Sequence, residues 1–177
     1  MPFSCICSSS DAHRRSAGRP DRRLHVIDIE NLVGGGTLTE PRLRAWSDAY
    51  TALDLYRCGD HVAIGVDVTG AAVVMGALRS PRVVLGRGPD GADRALLRVL
   101  HDELDPARSY SELVLGSGDG IFADEVGRLT GRGLPVTLVA RPGSLAKRLR
   151  LAGGREVAFP GSLLRTAGAD APVEVAA

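Results

Sequence analysis

Short apolar runs alternate along this chain with longer segments in which apolar positions recur every three or four residues. The runs LHVIDI (Leu24 to Ile29), HVAIGVD (His61 to Asp67), RVVLG (Arg82 to Gly86), LVL (Leu113 to Leu115) and LPVTLVA (Leu134 to Ala140) read as strands. Their nearly unbroken apolar character is that of strands buried on both faces of a parallel sheet. REVAF (Arg155 to Phe159) adds a sixth strand at an edge. Between them, Leu43, Trp46, Tyr50 and Leu53 form the stripe of a helix that begins at Thr39, with Pro41 in its first turn. GAAVVMGAL (Gly70 to Leu78) reads as a short helix and ADRALLRVLHDEL (Ala92 to Leu104) as a two-sided one. A further helix starts at Asp119, with Phe122, Val126 and Leu129 on one face, and SLAKRLRLAG (Ser144 to Gly153) is a helix that the glycines 153 and 154 stop. Strand and helix alternate throughout, which predicts an α/β protein, a three-layer α/β/α sandwich with a mainly parallel sheet.

Length and composition fit one domain at residues 23–160. It lies between a disordered basic leader (1–22) that mixes Ser, Arg, Gly, Pro and Asp without periodicity and a loose Ala-rich tail (161–177). No apolar run approaches the ~20 residues of a membrane helix, so no membrane partner is expected. The N-terminus lacks the pattern of a signal peptide. The three cysteines, Cys5, Cys7 and Cys58, complete no zinc set, and reduced thiols in a cytoplasm are the expected state. Net charge is +1, yet seven basic residues and no acid stand between Arg128 and Arg155. That imbalance points to a polyanionic partner, against the plainer reading of solvated helix faces. Oligomeric state is left open, and a homo-oligomer is compatible with the sequence.

Candidate chemistry gathers where strands end. Asp28 closes the first strand and Asp119 follows the fourth, two strands that are commonly neighbours at the switch in strand order, where ligands of such sheets bind. Asp119 is equally a good helix cap. Asp93 falls in one stripe with Leu97, Leu100 and Leu104, which aims a carboxylate inward; first-turn amides could satisfy it. Asn31, three residues after Asp28, adds an oxygen ligand or a substrate-binding amide. This all-oxygen set suits Mg2+ or Mn2+ better than zinc. A hard cation beside a basic surface points to phosphodiester chemistry, with Arg141, Lys147 and Arg148 as candidate phosphate contacts. His25, His61 and His101 are isolated and read as structural or solvated. The run Gly34 to Gly36 lacks the spacing of a phosphate loop and reads as a turn.

IDIEN (Ile27 to Asn31), GPDGADRALL (Gly88 to Leu97) and SGDGIF (Ser117 to Phe122), in that order, resemble the NYN domain of the PIN-like nuclease superfamily, its actinobacterial members above all. The resemblance runs from Leu24 to Phe159. It implies a Rossmann-like (PIN-like) fold and metal-dependent RNA cleavage that leaves a 5′-phosphate and a 3′-hydroxyl. Asp28, Asp93 and Asp119 would then be catalytic, metal-binding carboxylates, with Asn31 and Ser117 orienting groups beside metal and substrate. One departure counts against full metal chemistry. Many members read S-G-D-x-D-F, and Ile121 occupies the second acidic position here. Asp124, Asp90, Glu30 and Asp67 are substitutes, each with a plainer role in a helix turn, loop or cap. The expected function is therefore a ribonuclease, or alternatively a catalytically weak RNA-binding or regulatory module. A small-molecule phosphohydrolase is disfavoured for want of an Asp-x-Asp pair or a phosphate loop.

Overall fold

The computed structural model describes residues 21–78 and 81–160. The leader expected at 1–22 falls outside that range except for Asp21 and Arg22, as does the tail at 161–177. Among the described residues six strands, β1 (Arg23–Asp28), β2 (His61–Asp67), β3 (Arg82–Gly86), β4 (Glu112–Gly116), β5 (Val136–Ala140) and β6 (Arg155–Ala158), form one sheet in the order β3-β2-β1-β4-β5-β6. All five pairings are parallel. Each connection must therefore cross over a face, and the chain winds to one side of β1 and then the other.

Among the described residues, seven helices cover the two faces: α1 (Ile29–Val33), α2 (Glu40–Thr51), α3 (Ala71–Ala77), α4 (Gly91–Arg98), α5 (Pro106–Ser109), α6 (Ala123–Gly131) and α7 (Lys147–Leu151). One core joins Ile27, Ile64 and Val114 to Trp46 and Tyr50 of α2 and to Leu32 of α1. The other joins Val26, Leu115 and Leu138 to Leu96, Val126 and Leu149 from α4, α6 and α7. This is the three-layer Rossmann-like α/β/α sandwich expected from the alternating pattern.

Helix α1 is absent from the periodicity because five residues hold too little of it. It forms because Asp28 caps it, accepting the Asn31 N–H, and because Gly34 closes it in the left-handed region at φ 88°. The glycine turn behind it is held by one side chain. The Arg42 guanidinium donates to the carbonyls of Val33, Gly35 and Thr37 at 3.0, 2.8 and 2.7 Å. Arg42→Ala should lower unfolding free energy by about 1–3 kcal/mol in urea titration, since those carbonyls lose a charged donor. An unchanged midpoint would show the turn to be held by its backbone alone.

The helix expected at 92–104 changes character on the way. After α4 the chain widens into one π turn, Val99–Glu103, with the Leu104 N–H bonded to the Val99 carbonyl. The helix expected to begin at Ser144 starts three residues later, at Lys147, because the Ser144 N–H and hydroxyl both bond the Arg141 carbonyl in a turn.

Candidate functional site

Strands β1 and β4 are neighbours, so Asp28 and the 117–119 turn meet at the carboxyl edge of the sheet. Asp28 points to the same face as Leu24 and Val26, toward α4. Its carboxylate is nearly buried and accepts the Asn31 N–H at 3.1 Å and the Ser117 hydroxyl at 3.3 Å. Ser117 also accepts the Asp119 N–H at 3.1 Å. Asp119 caps a 3-10 turn, Gly120–Phe122, by accepting the Ile121 N–H at 2.9 Å. Capping and proximity to Asp28 thus hold together for Asp119.

Asp93 comes from α4, whose close seating depends on two glycines. A Cβ on Gly65 would lie 2.5 Å from the Leu96 side chain, and one on Gly86 only 2.0 Å from the backbone of Gly91 and Ala92. The face α4 buries is Ala92, Ala95 and Leu96, continued by Val99 and Leu100. The stripe through Asp93, Leu97 and Leu104 is its half-buried margin. Even there, the Asp93 Oδ1 is buried and has no hydrogen-bond partner. First-turn amides do not satisfy it.

Asp93 lies within hydrogen-bonding reach of Asp28. Burial, the Asp28 charge and bond, and then Asp119 and Asp90 push the Asp93 carboxyl up to about 8. Burial also raises Asp28, against the opposing bonds from Asn31, Asp93 and Ser117. Two carboxylates this close cannot both ionise without a compensating proton or cation. A divalent ion would neutralise the pair, and Mg2+ is commonly held by one or two carboxylates plus water. Asp119 stands within charge range of Asp93. Among the described residues, no group of three His, Cys, Asp or Glu side chains is placed to hold a metal ion together. The closely placed acids are therefore a pair.

The raised folded-state value of Asp93 fixes the sign of a pH effect. Below about pH 4 both folded and unfolded states carry the proton; between about 4 and 8 only the folded state does, so stability falls as pH rises through that window. Without divalent ions, half-exposure screens the effect to about 2 kcal/mol. Chemical denaturation from pH 4 to 9 should show this slope, flattened in Asp93→Asn and by added Mg2+. A flat wild-type profile would refute the pairing.

Asn31 also has a structural role beside the expected ligand or substrate one. Its Oδ1 accepts the Gly118 N–H at 3.0 Å, and its carbonyl accepts the Arg141 Nε–H at 2.8 Å. It clasps the β1 and β4 turns together, with its amide nitrogen and one oxygen lone pair remaining for a ligand. Arg141 is thereby tied to the end of α1 and lies against Gly34. Arg148 donates to the Gly120 carbonyl, directly after Asp119, and Lys147 is exposed beside it.

The long basic segment is less unbalanced in space than in sequence. Arg128 pairs with Glu125, Arg132 with Asp105, and Arg150 with Glu156. Arg141, Lys147 and Arg148 have no carboxylate partner among the described residues and cluster at the carboxyl edge. Of the substitute acids, Asp90, in a left-handed turn near Arg94, stands within charge range of Asp93, and Glu30, which accepts the Asp67 N–H at 3.2 Å, within charge range of Asp28, whereas Asp67 binds Thr69 and Asp124 is exposed. Ile121 packs against the core.

No family model matches the chain, and no curated protein does. Among solved structures, a protein of unknown function from Vibrio parahaemolyticus superposes with a TM-score of 0.54 at 17% identity, over 82% of this chain and 96% of that one. At that identity the likeness is one of fold. No described helix is long and apolar enough to cross a membrane.

Proposed function

We propose that the chain is a metal-dependent ribonuclease of NYN type. The observation that carries this reading is the Asp28–Asp93 pair, with the orphaned Asp93 Oδ1 at the edge where β1 and β4 adjoin. Asp28 and Asp93, with Asp119 alongside, would hold Mg2+ or Mn2+, which when bound polarises a phosphate and makes water nucleophilic near neutral pH. Asn31 and Ser117 keep the Asp28 oxygens in place, and Asn31 fixes the spacing of the two turns. Arg141, Lys147 and Arg148 offer cations to backbone phosphates on the β5 side, leaving base identity unread. A second reading is an RNA-binding or regulatory module without cleavage. Ile121, apolar where many NYN members carry an acid, favours it, as does the lack of a three-acid group among the described residues.

Incubation of labelled single-stranded and structured RNA with the protein, with and without Mg2+ or Mn2+, separates the two. Cleavage that appears only with metal and leaves 5′-phosphate ends is expected. RNA binding without cleavage under any divalent ion would establish the module instead, and neither binding nor cleavage would sink both.

A further inference from the structure

The opposite end of the sheet holds a second polar site. On the face that α2 covers, β1, β4, β5 and β6 carry polar residues near their starts: Arg23, Glu112, Thr137 and Arg155. Arg23 is in register with Glu112 and Thr137 with Arg155. The segment after α2, including Arg57, walls off a groove of about 580 Å3 over this row.

At the groove, Arg23 is an anomaly. Its side chain is 7% exposed, and its Nη2 is buried without a hydrogen-bond partner. The nearest carboxylates, Asp60 and Glu112, lie 3.8 Å from its Nε, outside hydrogen-bonding distance. Both are already engaged. Asp60 accepts the amides of Arg23 and Arg57 and lies 3.2 Å from the His25 ring nitrogen, while Glu112 accepts the Thr137 hydroxyl. A buried guanidinium with an unmet donor is costly unless something absent from the protein satisfies it. Arg57 and Arg155 are exposed at the groove and have no carboxylate partner among the described residues. Across the lining three guanidinium groups face two carboxylates, Glu112 and Asp54, with Asp60 behind Arg23 already held by His25 and two amides.

We propose that this groove binds a small phosphate-bearing anion, whose oxygens take the free Arg23 donor together with Arg57 and Arg155. Three guanidinium groups arriving from separate segments suit a tetrahedral oxyanion, whereas a single fork would suffice for a planar carboxylate. Leu53, Leu55 and Val136 give the groove an apolar wall, so the phosphate can carry an organic body. The site lies at the other end of the strands from Asp28 and does not depend on the ribonuclease reading.

Calorimetric titration of the full chain at low salt, with inorganic phosphate, a 5′-mononucleotide and acetate, tests the assignment. Saturable binding of the phosphate compounds is expected, weakened at least about tenfold in both Arg57→Ala and Arg155→Ala and unchanged in Lys147→Ala, at the carboxylate edge. Tighter binding of the mononucleotide would identify an organic ester as the ligand; equal binding would identify the phosphate group itself. Absence of saturable binding, equal binding of acetate, or affinity unaffected by both Arg substitutions would overturn the proposal. Loss in Lys147→Ala alone would place the anion at the carboxylate edge and overturn it too.

Discussion

Asp28→Asn and Asp119→Asn are each expected to reduce metal-dependent RNA cleavage on the order of 100-fold or more, equivalent to about 2.7 kcal/mol of transition-state stabilisation. The substitution keeps the shape of both side chains. The amide introduced by Asp28→Asn can still accept from Asn31 through its oxygen while its NH2 donates to the Ser117 oxygen, and the amide oxygen introduced by Asp119→Asn can still accept the Ile121 N–H, so the turns persist. What disappears is negative charge. Asp28→Asn should at the same time raise the melting temperature without metal, because it relieves the repulsion with Asp93. Lower activity with higher stability in one protein is hard to produce by misfolding. Asp124→Asn, on an exposed helix turn, is the control and should leave cleavage unchanged. Full activity in both substituted proteins would remove the carboxylates from the chemistry.

Gly86→Ala should destabilise the fold by about 3 kcal/mol or more, lowering the melting temperature on the order of 10 °C. The added methyl group would lie 2.0 Å from the Ala92 nitrogen and the Gly91 carbonyl carbon. These are backbone atoms, so no rotamer change relieves the clash and α4 must shift as a body. Asp93 moves with it, away from Asp28. Gly65→Ala should be milder, since its nearest clash is with the movable Leu96 side chain. Gly127→Ala, on α6 with nothing within 4 Å, should gain up to about 1 kcal/mol. Thermal melts that rank Gly86→Ala no worse than Gly65→Ala would show that α4 yields easily.

The strands were legible because a sheet buried on both faces writes itself as apolar runs, and β2 and β3 match HVAIGVD and RVVLG residue for residue. The adjacency of Asp28 and Asp119 followed from strand order at the switch point. Short α1 and α5 left no periodic trace. Within α4 the buried stripe runs through Ala92, Ala95 and Leu96 rather than Asp93 and Leu97, and past its end comes the π turn. Such a turn depends on which carbonyl an amide chooses, and no residue pattern announces it. Asn31 was found as a residue of interest, but its clasping role required knowing that Gly118 faces it. The network at His25 was equally hidden. Its imidazole lies 2.8 Å from the Tyr50 hydroxyl and 3.2 Å from Asp60, where burial raises that carboxyl but the His25 bond and two amides outweigh it. Those partners lie 25 and 35 residues away.

The Asp28–Ser117 bond joins residues 89 positions apart, because the central strand pairs with the fourth. Closing so large a loop is slow relative to local helix formation. During synthesis, roughly two thirds of the polypeptide must emerge before Ser117 can reach Asp28. A nascent chain that has made only β1 to β3 and α4 therefore carries Asp28 and Asp93 but lacks the Ser117 hydroxyl that bonds Asp28 and the Asp119 carboxylate. On the ribonuclease reading proposed above, refolding experiments should accordingly show Mg2+ uptake arriving with the last cooperative phase rather than with early helix signal.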